Sequence, residues 1–200
     1  MTRLHLARHG ETVWHAEHRY AGSSDVALTE VGAQQAEQLG RWAGARSLGG
    51  IYSSDLTRAI RTAAPAAQAT GYETIVDPRL REVHFGVAEG MTAAQLRERW
   101  PAEWSAFELH PATAPFPDGE AGTAAIDRAW PALLEIADRG VEDVLVGMHA
   151  TLIRLLLCRV LGIDPDRYRS LFPMVANTGI TTLDLGADTI GLLGFNLPPG

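Results

Sequence analysis

Short apolar runs alternate along the chain with longer stretches in which apolar positions recur every three or four residues. The first pattern suits buried strands and the second amphipathic helices, so the chain reads as an α/β protein. Residues 4–7 form the first predicted strand. Thr29 then caps a helix to about residue 45, with Ala36, Leu39 and Ala43 on one face. Gly50-Ile51-Tyr52 reads as a second strand. Asp55 is placed as the N-cap of a helix that turns Leu56, Ala59, Ile60, Ala63 and Ala67 inward until Gly71 ends it. Residues 73–76 form a strand and residues 80–83 are extended. A helix over about 123–139, a strand at 143–147 and a helix over about 150–161, ended by Gly162 and Pro165, follow. Residues 180–185 and 189–195 are closing strands.

Between His84 and Gly122 the periodicity weakens. Pro101, Pro111, Pro115 and Pro117 are interspersed among Trp100, Trp104, Phe107 and Phe116, which predicts a small helical excursion covering one end of the sheet. Its aromatics are expected mostly to pack. No repeat or linker divides the chain, so residues 1–200 read as one domain with a cap-like excursion at about 84–122.

Charge narrows the partners. Seventeen basic against 24 acidic residues leave a formal charge of −7, so neither nucleic acid nor an anionic membrane is attracted broadly. An anionic ligand has to be drawn by a local pocket. All 17 basic residues are arginine, which removes lysine Schiff-base chemistry and the P-loop lysine. The one cysteine, Cys158, sits in an apolar run and reads as a buried thiol. The start of the chain shows no secretory pattern and the run 152–163 is too short to span a bilayer, so a cytoplasmic protein is expected.

Arg8-His9-Gly10-Glu11-Thr12 directly follows the first strand, at the carboxyl end where open α/β sheets bind ligands. His149 follows the strand at 143–147 and opens a helix. Arg58 lies in the first turn of the helix after Ile51-Tyr52, where side chains lean back toward the helix start. Three strand-to-helix junctions thus offer cations or imidazoles to one sheet edge. A phosphate pocket is the chemical meaning of that convergence.

On these residues the chain resembles the histidine phosphatase superfamily, whose fold is shared with cofactor-dependent phosphoglycerate mutases. The resemblance covers nearly the whole chain: Arg8-His9-Gly10-Glu11-Thr12; Leu28-Thr29 with Gly32 and Gln35-Ala36; Ser53-Ser54-Asp55-Leu56-Thr57-Arg58-Ala59 with Thr62-Ala63; Leu80-Arg81-Glu82 with Gly86 and Glu89-Gly90; and His149 after an apolar strand. It implies a three-layer α/β/α sandwich with a mostly parallel central sheet. It also implies His9 as nucleophile through phosphohistidine, Arg8, Arg58 and His149 as ligands of the transferred group, and Glu82 as general acid and base. The same positive groups make a metal or other cofactor unnecessary, and a homodimer is common among relatives.

Two positions depart from the family pattern. His15 stands where many relatives carry asparagine and reads either as an added phosphate or substrate donor, beside Thr12, or as a plain loop histidine. Ala150 stands where glycine is common and adds a methyl near the pocket. Arg61, one turn past Arg58, and the His15/His18 pair with Glu17 are weaker candidates for a second phosphate ligand and a metal pair. His5 reads as structural, His110 as solvent-facing and Asn177-Thr178-Gly179 as a turn at the pocket rim. The reading is a phosphomonoesterase acting on a small phosphorylated metabolite. A phosphoglycerate mutase-type phosphotransferase and a catalytically silent phospho-ligand binder are the alternatives. Mutases of the family are usually longer, with segments that close the site against water.

Overall fold

The computed structural model describes residues 1–186 and 189–200. Among these, the strands are β1 (Thr2–Arg8), β2 (Gly50–Ser53), β3 (Thr74–Val76), β4 (Asp143–Met148), β5 (Ile180–Leu185) and β6 (Ile190–Leu197). The helices are α1 (Glu30–Gly44), α2 (Thr57–Thr70), α3 (Ala93–Arg99), α4 (Pro101–Leu109), α5 (Gly122–Ala137), α6 (Ala150–Leu161) and α7 (Tyr168–Leu171). One sheet runs in the order β3-β2-β4-β1-β5-β6. The first four of these are parallel, β5 is antiparallel to β1, and β6 is antiparallel to β5.

Alternation along the strands divides the core between two faces. Leu4, Leu6, Tyr52, Val144 and Val146 belong to one apolar cluster with α5 and α6. Ala7, Ile51 and Leu145 pack on the other side with α1 and α2. The result is the expected three-layer α/β/α sandwich with a mixed, mostly parallel sheet. No helix among the described residues is long and apolar enough to cross a membrane.

Local chemistry explains most of the boundaries. The Thr29 hydroxyl accepts from the Gly32 amide at 3.0 Å and starts α1. Gly71 and Gly162, at φ 78° and 64°, end α2 and α6 in the left-handed conformation that favours glycine. Asp55 is a correction. It does not cap α2, because its carboxylate accepts two bonds from the Arg81 guanidinium, each at 2.5 Å. Leu56 occupies the cap position, and the Thr57 amide donates instead to Asp25, at 3.0 Å. On α2, Ala66 takes a fully buried place while Ile60 and Ala67 are half-buried. Residues 78–80 form a 3-10 turn before the extended Arg81.

Between residues 84 and 122 the chain forms α3, α4 and connecting loops. Trp104, Phe107 and Phe116 are buried there, with the two phenylalanine rings 4.8 Å apart, so these aromatics pack as expected. Trp100 is half-buried.

Chain direction places the crevice. From β1 the chain passes over the face of α1 and α2 to β2, whereas from β4 it passes through α6 on the opposite face to β5. The connections diverge between the adjacent strands β1 and β4, and such a divergence opens a cleft at their carboxyl ends.

Candidate active site

Strand register carries the geometry. β1 and β4 pair with Arg8 opposite Met148, so His9 and His149 leave the sheet side by side. The His9 amide donates to the Met148 carbonyl at 3.0 Å, and the two imidazole centroids are 5.3 Å apart.

His9 is held in one neutral form. Its Nδ1–H donates to the Gly10 carbonyl at 2.7 Å, which leaves Nε2 for the cavity that the ring lines. Burial first, then the Arg58 and Arg8 charges, keep its pKa well below 6.5. The turn behind it is tightly closed. The Gly10 amide donates to Thr62 Oγ1 at 2.9 Å, and that hydroxyl donates to the Arg58 carbonyl at 2.7 Å. A Cβ on Gly10 would meet the Gly32 carbonyl oxygen at 2.5 Å, and one on Gly32 would collide with the Glu11 carbonyl.

The cations around it are held by backbone oxygens and one imidazole. Arg8 donates through Nη1 to the Val175 carbonyl and through Nη2 to His15 Nε2, both at 2.6 Å. Burial lowers its pKa to about 10, which leaves it charged at neutral pH. Fully buried Arg58 donates to the carbonyls of Ser24, Gly22 and Ala21 at 2.7, 2.6 and 3.2 Å. His149, also fully buried, bonds Ser54 Oγ through Nε2 at 2.8 Å. Burial, Arg58, His9 and Arg8 together hold its pKa well below 6.5.

Three buried nitrogens in this group have no partner: Arg8 Nε, Arg58 Nε and His149 Nδ1. A buried donor left unmatched costs roughly 1–3 kcal/mol, so the two guanidinium Nε–H groups, beside a partnerless imidazole nitrogen, mark a place for an acceptor-rich guest.

Glu82 arrives from the extended segment after the Pro78–Leu80 turn and stands over the start of α6. Its Oε1 accepts from Val83 and Leu152 at 3.0 and 2.9 Å, and its Oε2 from Thr151 at 3.0 Å. The carboxylate thereby does the capping that His149, the N-cap residue of α6, does not provide. Oε2 retains lone-pair capacity toward the cavity, which Glu82 lines.

The cavity measures about 390 Å³ and is lined by Arg8, His9, Thr12, His15, Glu82 and Ala150 among others. Arg58 and His149 are fully buried and do not line it. His15 is turned inward. Its Nε2 accepts from Arg8, its Nδ1 lies 2.8 Å from Thr12 Oγ1, and burial and Arg8 pull its pKa down. His15 thus ties Arg8 to the Thr12 turn at the cavity wall. Asn177 supports the same turn, donating to the His9 carbonyl at 3.1 Å.

Of the other candidates, His18 lines the same cavity and the rest lie elsewhere. Arg61 is exposed and lines a separate groove. His5 is buried and bonded on both ring nitrogens, and exposed His110 faces Asp166 at 3.3 Å. Glu17 pairs with Arg19 at 2.6 Å. No cluster of three or more potential metal ligands occurs among the described residues.

Residue-type reasoning passed over several supports. Glu89 accepts from the Ser23 and Ser24 amides at 2.8 and 2.7 Å and fixes the loop whose carbonyls hold Arg58. Burial would raise its pKa, but hydrogen bonds from Ser24, Ser23 and His84 outweigh that and bring it to about 2. Ser54 had a signal, since it shares the motif with Arg58. Tyr20 and Arg154, which also line the cavity, had none.

A family model described as the histidine phosphatase superfamily, branch 1, matches residues 4–198. The chain is 32% identical over 171 residues to phosphoserine phosphatase 1 of Hydrogenobacter thermophilus, covering 85% of this chain and 81% of that one. It is 37% identical over 187 residues to a protein of Escherichia coli O1:K1 named probable phosphoglycerate mutase GpmB, covering 92% and 85%. Among solved structures, a mycobacterial glucosyl-3-phosphoglycerate phosphatase in complex with VO3 superimposes with a TM-score of 0.89 at 29% identity, over 98% of this chain and 100% of that one.

Proposed function

The chain belongs to the histidine phosphatase superfamily and is a phosphatase, and from that premise we propose that it hydrolyses small organic phosphomonoesters through a phosphohistidine on His9. One observation carries this reading: a neutral, tautomer-fixed imidazole beside three buried cationic or imidazole nitrogens that lack partners.

The residues divide the reaction between them. His9 Nε2 attacks phosphorus, and the bond from phosphorus to the ester oxygen breaks. The departing oxygen takes its proton from Glu82, and the lone-pair site on Oε2 suits that transfer. Arg8, at the cavity wall, faces the non-bridging oxygens, while Arg58 and His149, buried behind that wall, stand behind them, Arg58 with its charge and neutral His149 with a ring nitrogen. Water then attacks the phosphohistidine, Glu82 takes its proton, and the bond from phosphorus to nitrogen breaks to release phosphate.

Openness supports hydrolysis over return of the phosphoryl group to substrate. From the segment between residues 84 and 122, only Phe85 and Ala93 line the cavity, so little of the cover stands between the site and water. The net charge of −7 around a local cationic pocket favours small phosphates over polyanions.

The test is chemical trapping. Brief incubation with a labelled phosphomonoester should leave acid-labile, base-stable phosphate on the protein and none on His9→Ala. Absence of any adduct with every ester tried, or full turnover by His9→Ala, would restore the silent-binder alternative. Isomerisation of 3-phosphoglycerate that outpaces phosphate release, with or without a bisphosphate primer, would overturn hydrolysis in favour of phosphoryl transfer.

A further inference from the structure

A second cavity of about 250 Å³ adjoins the first, sharing Tyr20, Phe85, Thr151 and Arg154 with it and adding Tyr168 and Arg169. Its two arginines come from α6 and α7, and among the described residues neither forms an ion pair, though Glu82 attracts Arg154 from beyond contact distance. Neither lies within 4.0 Å of a carboxylate among the described residues, whereas Arg79, Arg81 and Arg128 on the exterior all do.

Each guanidinium is fixed against a ring. Arg154 Cζ stands 4.8 Å from the Tyr168 ring centroid and Arg169 Cζ 5.2 Å from that of Phe107. The hydrogen bonds of Arg154 to Phe172 O and Thr151 Oγ1 are long, at 3.4 and 3.3 Å. Burial holds the Arg154 pKa below its ordinary value. Arg169 sits beside the Tyr20 hydroxyl and keeps a buried Nη1 with no partner. Two arginines in a recess without a counter-ion are costly unless something negative completes them. Stacking alone would explain their orientation but not the unmatched Nη1.

We propose that this recess is a second anion subsite, and that the preferred substrates are phosphomonoesters whose alcohol portion carries another acid group, a carboxylate or a second phosphate. The inference rests on the phosphatase reading of the adjoining site. With the phosphoryl group at His9, the leaving alcohol passes Tyr20 and Thr151 and presents its acid group to Arg154 and Arg169. Planar guanidinium forks match either oxyanion.

Matched esters test it. The carboxylate arm compares 3-phosphoglycerate with glycerol 3-phosphate, and the phosphate arm compares fructose 1,6-bisphosphate with fructose 6-phosphate. The expected result is a preference of about ten- to a hundredfold in kcat/KM for the charged member of at least one arm, carried mainly by KM. Arg169→Met should collapse that preference and Arg169→Lys should keep part of it. Arg154→Gln should lower it as well, with its melting temperature reported because Arg154 also bonds the Ala150 carbonyl. Equal kcat/KM in both arms while p-nitrophenyl phosphate is turned over overturns the subsite and leaves the phosphatase intact. A preference undiminished in Arg169→Met and Arg154→Gln overturns it too. If no ester is turned over, the phosphatase reading fails by itself. Calorimetric titration of the same pairs into His9→Ala then decides the subsite: tighter binding of the charged member supports it and equal binding overturns it.

Discussion

The two ends of the β1–β4 pair hold the same residue type in opposite conditions. Toward the amino end, buried His5 has Nε2 on Asp143 at 2.8 Å and Nδ1 on Thr182 Oγ1 at 3.0 Å, with the Trp42 ring edge-on at 5.1 Å. Toward the carboxyl end, His9 and His149 are buried as well, but His149 Nδ1 is unmatched and so are the Nε atoms of the arginines beside it. Burial lowers the pKa of all three histidines. A buried histidine with a depressed pKa is therefore no sign of chemistry here. What separates the two ends is whether the polar atoms already have partners, and the carboxyl end leaves its own open.

Removing His9, the proposed nucleophile, tests that contrast most strongly. His9→Ala should lower phosphatase kcat/KM by on the order of 10⁴-fold or more. Next comes Glu82→Gln, which keeps one acceptor oxygen, leaves one of the two α6 amides facing an NH2 group, and has no transferable carboxylic proton. It should cost about 10²–10⁴-fold on alkyl phosphates and distinctly less on p-nitrophenyl phosphate, whose leaving phenolate needs no acid.

Stability should respond to the open end as well. Inorganic phosphate at a hundred times its Kd should add about 2.7 kcal/mol to unfolding free energy, read as a rise in melting temperature. The pH profile has a definite sign. Because the folded-state pKa values of His5, His9, His15 and His149 all lie below the unfolded value of about 6.5, their contribution is present above that pH and lost as pH falls below it. Melting temperature should therefore drop on acidification from pH 7 toward 5, and less so with phosphate bound. A profile that is flat over that range would break the account of these four histidines. The smallest effect belongs to the closed end. His5→Gln should cost roughly 1–2 kcal/mol by denaturant titration and leave kcat unchanged. Loss of turnover in a folded His5→Gln protein would erase the distinction between the ends.

Legibility in the sequence followed the range of the interactions. Thr29 as a cap, Gly71 and Gly162 as stops, and His9 and His149 at strand ends depend on neighbours a few residues away, and each was readable. Asp55 was misread because Arg81, 26 positions on, takes its carboxylate, while α2 borrows Asp25 from 32 positions back. For His15 the residue type was informative, but only the fold shows that Arg8 donates to it. The three amides that hold Glu82 come from two segments, with Thr151 and Leu152 lying 69 and 70 positions away. Arg154 and Arg169 gave no signal, because an arginine on an apolar helix looks like an exposed charge until the neighbouring carboxylates are known to be absent.

The interlock of Gly10 and Gly32 sets a limit on how this protein can change over evolutionary time. Each glycine is closed to a side chain by the other's segment, so neither can be replaced alone without displacing the loop that carries His9. His9 behaves as a fixed anvil with one setting. Variation then has to fall on what faces it, the residues around Tyr20, α6 and α7, where on the proposed reading a single substitution alters which leaving group fits and leaves the loop that carries His9 as it was.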